Sequence, residues 1–205
     1  MEIEITFINN SNDKSNSNIV IFQKNIATNF ESTAIAWKVI KNCGRNWSHS
    51  FTYPMHFEVA SADAFGNVSD QRTAYNGQKW SVVSSNSGEI LQLDSAPTTR
   101  QNEIEVRNKI GNGAIDAQIY KDGKLLATKT AISSGEKAKF EFKPEIHVGV
   151  TSQVKEGDIM SSAVINEIDH KFSLLGITKA NLIMTGGGSN GKDATPFKFE
   201  LVPIT

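Results

Sequence analysis

The stretch Gly186-Gly187-Gly188-Ser189-Asn190-Gly191-Lys192-Asp193 carries most of the spacing G-x-x-x-x-G-K-[ST], with which backbone amides cradle a phosphate. That chemistry needs a Ser or Thr after the lysine to hold magnesium, and a helix whose N-terminus faces the anion. Here Asp193 follows the lysine and would repel phosphate, and Pro196 leads into a strand-like run. The expectation is a hairpin loop and no nucleotide site. His56 and Glu58 would share one face of a strand, with His49 shortly before them, a set that could form a facial His/His/carboxylate site. His147, however, follows Pro144 much as His56 follows Pro54, so internal repetition accounts for the recurrence and no metal is assigned. Cys43 and His49 could pair as a thiol nucleophile and its base, but no orienting third group or oxyanion-hole element stands near them. A lone cysteine reads as a small hydrophobe. The paired acids Glu2/Glu4 and Glu103/Glu105 read as solvated faces of alternating strands. No catalytic residue and no cofactor is assigned.

The aromatic set Trp37, Trp47, Tyr53, Tyr75 and Trp80 is mostly core by expectation. Trp47 differs, because it lies in the polar loop Asn46-Trp47-Ser48-His49 before a strand. An exposed Trp in such a loop is a platform for a sugar ring, a lipid interface or another protein. The ligand-binding candidates are therefore Trp47, His49 and Tyr53. Asn9-Asn10-Ser11, Asn46-Trp47-Ser48 and Asn67-Val68-Ser69 fit the glycosylation pattern, which carries little meaning without an export signal.

The elements that would position these residues are strands. With 39% hydrophobic and 21% charged residues over 205 positions, the chain can bury a core and falls in the ordinary globular class. Its net charge is −1, and residues 1–95 carry 7 basic against 9 acidic side chains, so neither half has the cationic surplus that a phosphate backbone requires. One cysteine excludes an internal disulfide. The start Met1-Glu2-Ile3-Glu4-Ile5-Thr6-Phe7 alternates as a strand and does not read as a secretory leader, and no apolar run approaches the ~20 residues of a spanning helix. The expected location is cytoplasmic, or exported without a cleaved signal peptide.

Short β-branched runs punctuated by turn chemistry about every ten residues predict an all-β protein. The Asn- and Ser-rich tract Asn9–Ser17 predicts a mobile loop. Thr28 and Glu31 resemble a capping box, while Ile35, Trp37 and Val39 alternate as a strand from Ala34 onward. Asp122-Gly123 predicts a hairpin. Asp158–Leu175 fits either a short helix, with Ile165, Ile168, Phe172 and Leu175 on one face, or a strand pair.

Two halves, 1–97 and 98–205, share an order of events on either side of the linker-like Ser95–Thr99. Ile3–Phe7 matches Ile104–Arg107, Ile19–Asn25 matches Ala117–Asp122, and Phe51–Val59 matches Phe140–Val150, each of the last pair interrupted by a proline. The fold expected is two tandem, internally duplicated antiparallel β-sandwich-like halves, with the chain redirected between sheets at Pro54 and Pro144.

Phe7-Ile8-Asn9-Asn10-Ser11, Ile19–Asn25 and Ala34-Ile35-Ala36-Trp37-Lys38-Val39 resemble the opening strands of bacterial proteins of the rhizosphere-expressed RhiA type, and Phe140–Val150 with Gly157-Asp158-Ile159-Met160 resembles their closing half. The chain departs from that pattern at Lys38, where an aromatic often follows the Trp, and in its Gly-rich closing hairpin. The resemblance implies a bacterial β-protein without settled activity and carries over no site residues. The leading expectation is a non-enzymatic binding or surface-interaction protein acting on a glycan or a protein through the loops Asn9–Ser17, Asn42–His49 and Gly186–Asp193. The alternatives are a membrane-active, toxin-like protein that inserts Asp158–Thr185 as a barrel-type hairpin, and a homo-oligomer that assembles through strand edges.

Overall fold

A computed structural model describes residues 2–27, 34–188 and 195–204. The capping-box pair Thr28 and Glu31 and the loop positions 189–194 lie outside the described residues. The protein is nearly all β, and its strands fall into four runs along the chain. The first holds β1 (Glu2–Asn9), β2 (Asn18–Phe22), β3 (Ala34–Ile35), β4 (Lys38–Ile40) and β5 (Ser48–Pro54). The second holds β6 (Phe57–Asp63), β7 (Arg72–Ala74), β8 (Lys79–Ser85) and β9 (Gly88–Leu93). The third holds β10 (Ile104–Asn108), β11 (Ala114–Lys121), β12 (Lys124–Ser133) and β13 (Lys137–Phe140). The fourth holds β14 (Glu145–Thr151), β15 (Ile159–Met160), the helix α1 (Ser162–Glu167), β16 (His170–Ser173), β17 (Lys179–Gly187) and β18 (Thr195–Pro203).

The described residues divide into two compact units, one within Met1–Gln23, Ser32–Met55 and Pro144–Thr205, the other within Lys24–Glu31 and His56–Lys143. The first unit thus joins the first and fourth runs, and the second unit joins the second and third. This corrects the expectation of contiguous halves. A cut at 97/98 would pass through all four four-stranded sheets, because β1 pairs with β17, β2 with β14, β6 with β11 and β8 with β10.

In the first unit one sheet has the order β18-β17-β1-β5, with β1 parallel to β17 and the outer pairs antiparallel. Its second sheet, β16-β14-β2-β4, is antiparallel throughout, and β15 and β3 make a two-stranded sheet. Alternation explains β1, where Ile3, Ile5 and Phe7 are buried while Glu2 and Glu4 face out. Val20, Phe22, Ala34, Ala36, Met160, Ile165 and Ile168 form one cluster, so α1 closes the core over β2 and β14. Gly149 of β14 is required there, since a Cβ would fall 2.2 Å from the Cβ of Ile168. The segment from Asp158 meets neither expected alternative whole: a short helix capped by Ser161 is followed by β16, with Phe172 and Leu175 beyond the helix and β15 and β16 in different sheets.

The second unit repeats these pairings. The sheet β13-β10-β8-β9 has β10 parallel to β8 and antiparallel outer pairs, and β12-β11-β6-β7 is antiparallel throughout. Registers correspond as well. Asn108 faces Val82 as Asn9 faces Met184, and Tyr120 faces Glu58 as Phe22 faces His147. The hairpin predicted at Asp122-Gly123 joins β11 to β12, both residues having positive φ. Matching by register also corrects the equivalence of His56 with His147. The position equivalent to His147 is Glu58, and His56 corresponds to Glu145. Glu103 and Glu105 are a further correction, for each is 1% exposed. Glu103 meets Lys139 at 3.1 Å and Glu105 meets Lys137 at 2.7 Å, so β13 supplies the counter-charges that let this face be covered. Glu2 and Glu4 are solvated, as expected.

Candidate functional site

The loops named from the sequence come together at one end of the first unit. Asn9 ends β1 as a buried residue, and its amide ties two of them. Its Nδ2 donates to the Cys43 carbonyl at 2.6 Å, while its Oδ1 accepts from the Ser11 N–H at 3.0 Å and the Ser11 hydroxyl at 2.6 Å. Asp13 then accepts from the Ser15 and Ser17 N–H groups, both at 2.8 Å. The tract expected to be a mobile loop is therefore a series of side-chain-to-backbone turns. Asn16 Nδ2 donates to Asn42 Oδ1 at 2.7 Å, and the Asn12 N–H donates to the Gly186 carbonyl at 2.7 Å. Gly186–Gly188 thus borders this end. The rest of the Gly-rich loop, with Lys192 and Asp193, lies outside the described residues.

Trp47 is held by its backbone and presented by its side chain. The Asn9 N–H donates to the Trp47 carbonyl at 3.0 Å, and the Asn46 N–H donates back to the Asn9 carbonyl at 2.6 Å. Asn46 adopts φ 64° to make the turn, a conformation Asn tolerates. The indole is 67% exposed on this clamped backbone. Two residues on, His49 is exposed on the same strand face, opposite Phe7 in the ladder. Tyr53 is not part of this surface. It is 2% exposed and packs edge-on against Trp37 at 5.9 Å, beside the Trp37–Phe51 contact at 6.2 Å. Burial holds its hydroxyl above the ordinary tyrosine range, opposed by a hydrogen bond with Gln23 and reinforced by the charge of Glu145. Its aromatic neighbours explain the correction, because a strand face that begins at the solvated Trp47 runs into the core by Phe51.

The other candidates do not assemble. His49 belongs to the first unit and His56 and Glu58 to the second, and among the described residues no group of three His, Cys, Asp or Glu could hold a metal. Burial raises the Cys43 thiol, the opposite of an activated nucleophile. Asp158–Thr185 is no hairpin, since β15, β16 and β17 belong to three different sheets and Ala180, Leu182 and Met184 are buried. No helix among the described residues is long and apolar enough to cross a membrane.

One polar group went unread in the sequence. His147, 3% exposed, stacks on Phe22 at 5.2 Å, contacts Asp169 through Nδ1, and has Nε2 at 3.6 Å from Glu145. An imidazole held by a carboxylate is a geometry that catalysis uses, but this one is buried away from substrate. It reads as a core network that continues to Gln23, whose Nε2 donates to the Glu145 carbonyl at 2.8 Å. The signal for it was a histidine within the apolar run Ile146–Val150 and an Asp twenty-two positions later.

No family model matches the chain, and neither a curated protein nor a solved structure matches it.

Proposed function

We propose that this chain is a non-enzymatic binding protein, of a bacterial type resembling the RhiA proteins, that takes a glycan on the Asn- and Ser-rich end of its first unit. The observation that carries this reading is Trp47, an exposed indole on a backbone fixed at both its N–H and its carbonyl, at the end of the unit whose loops also expose Asn10, Asn12, Asn16, Asn42 and Asn46. Trp supplies rigid contact area at small entropic cost, and amides and hydroxyls supply paired donors and acceptors for a polyhydroxylated ligand. A glycan array with the whole chain, repeated with Trp47→Ala, tests it. The expected result is a defined set of bound glycans and at least a tenfold loss in the variant. Absence of binding to every glycan, or binding indifferent to Trp47, overturns it.

The second reading concerns the architecture. The chain is proposed to be an internal duplication, β1 to β9 and β10 to β18, in which each compact unit takes one part of each copy. The six pairings common to both units support this, as do two side-chain anchors. Asn108 Nδ2 donates to the Ile132 carbonyl at 2.9 Å and its Oδ1 accepts from the Ile110 N–H at 3.0 Å, as Asn9 does with Cys43 and Ser11. Lys121 Nζ reaches the His56 carbonyl at 3.5 Å, where Gln23 reaches that of Glu145.

A further inference from the structure

We infer that a second copy of this chain is a binding partner, joined by exchange of the fourth run of strands, Pro144–Thr205. The inference rests on the duplication reading, and its physical content is complementarity between non-contiguous runs. β1 and β2 of the first run find their partners in β17 and β14, more than a hundred residues away, and those partners are reached from β13 through residues 141–144, which hold no strand. The pairings of β1 with β17, β2 with β14 and β3 with β15 are therefore between pieces that a chain crossing merely keeps near one another, while β1–β5, β2–β4, β14–β16 and β17–β18 stay within one run.

The first run is tied to the second unit by more than its crossing at Met55–His56. Asn25 Nδ2 donates to the Lys139 carbonyl at 3.1 Å, Asn25 Oδ1 accepts from the Glu141 N–H at 2.9 Å, and the Ile26 N–H donates to the Glu141 carbonyl at 2.9 Å. The fourth run leaves the second unit at one point, Lys143–Pro144, and does not return. It is the piece that can be donated. If it docks on β1 and β2 of another copy, every buried contact of the first unit is remade, and the change of conformation falls at Lys143–Pro144, after the bonded Glu141 and the buried Phe142. Such an exchange costs little beyond association itself, and a proline at the crossing restricts the conformations through which it can close back. The dimer so formed carries two Trp47 ends, which raises avidity for a repeated ligand; this consequence alone depends on the glycan reading.

Glu4 and Lys179 report the exchange, since they are register partners across β1 and β17, lie 2.9 Å apart and are both well exposed. Full-length chains carrying Cys43→Ser receive either Glu4→Cys or Lys179→Cys, and the two are unfolded, mixed, refolded and treated with a short bifunctional maleimide. The expected result is a covalent heterodimer whose ratio to monomer rises about tenfold for each tenfold rise in chain concentration while it is the minor species. Chains refolded separately and mixed afterwards give the collision background. Co-refolded chains that never exceed that background overturn the exchange, provided one chain bearing both cysteines cross-links within itself. Failure of the chain bearing both cysteines to cross-link either within itself or to a second copy overturns the β1–β17 pairing, and the duplication reading with it. Deleting Lys143, which shortens the crossing, is expected to move the population further toward dimer.

Discussion

The ammonium of Lys121 lies 4.1 Å from the centroid of the Phe57 ring, buried at 1% exposure where the first unit has the neutral Gln23. A cation over an aromatic face is attracted by the ring, but removal from water opposes the charge more strongly. Desolvation pushes the Lys121 pKa down to about 7 from its ordinary 10.5, and the nearby Glu58 carboxylate only partly restores it.

The sign of the pH dependence follows. Between about pH 7 and 10.5 the unfolded chain holds this proton and the folded chain has released it, so stability rises with pH across that window. Below pH 7 the penalty of the buried charge is fully present. Lys121→Met keeps the length and the ring contact without the charge. It is expected to raise Tm at pH 6 by an amount worth a few kcal/mol, and to gain progressively less as pH approaches 10. Calorimetric melts at several pH values check this; equal gains at pH 6 and 10 would show that the charge is not what matters.

Lys137 and Glu105 make an asymmetric pair, with Glu105 at 1% exposure and the Lys137 side chain at 35%. Lys137→Met leaves a buried carboxylate with, among the described residues, the longer 3.5 Å contact from Arg107 and is expected to cost about 3 kcal/mol. Adding Glu105→Leu removes the stranded charge and is expected to return most of that loss. Urea unfolding of both single variants and the double variant closes the cycle. Strict additivity would show that the two groups are not coupled.

Much of the strand inventory was legible because alternation and turn chemistry are local. Ile3, Ile5 and Phe7 against Glu2 and Glu4, and the positive φ that Asp122-Gly123 supplies, are written in neighbouring residues. Alternation names the buried face of a strand and not its neighbour, so the partnership of β1 with β17 had no local signal. The acids of β10 misled for the same reason. An acid at every second position looks solvated until Lys137 and Lys139 of another strand are brought beside it. The loops of the candidate site were found by composition, and Trp47 by its polar setting. Tyr53 was misjudged because the step from solvent to core falls within β5, between His49 and Phe51, where residue types do not mark it.

Asn9 and Asn108 offer a test in which each serves as control for the other. Asn9 ends β1 and Asn108 ends β10, the corresponding inner strands of the two units; both are buried, and each binds a carbonyl shortly before the antiparallel neighbour, β5 or β13, and an N–H two residues on. Alanine at either position strands these groups, and the expected cost is about 2 kcal/mol of stability for each. Their effects on binding should part company. Asn9 holds Cys43, three residues before Asn46, whose N–H bonds the Asn9 carbonyl, and so it sets where Trp47 emerges. At the equivalent of Trp47 the second unit has Glu136, whose carbonyl accepts from the Asn108 N–H. Asn9→Ala is therefore expected to weaken glycan binding about tenfold, in line with an anchor residue displaced on its loop, while Asn108→Ala leaves affinity unchanged at temperatures where both variants are folded. Titration of the array's best ligand against the two purified variants measures this. Equal losses would mean that binding follows overall stability and not the placement of the indole.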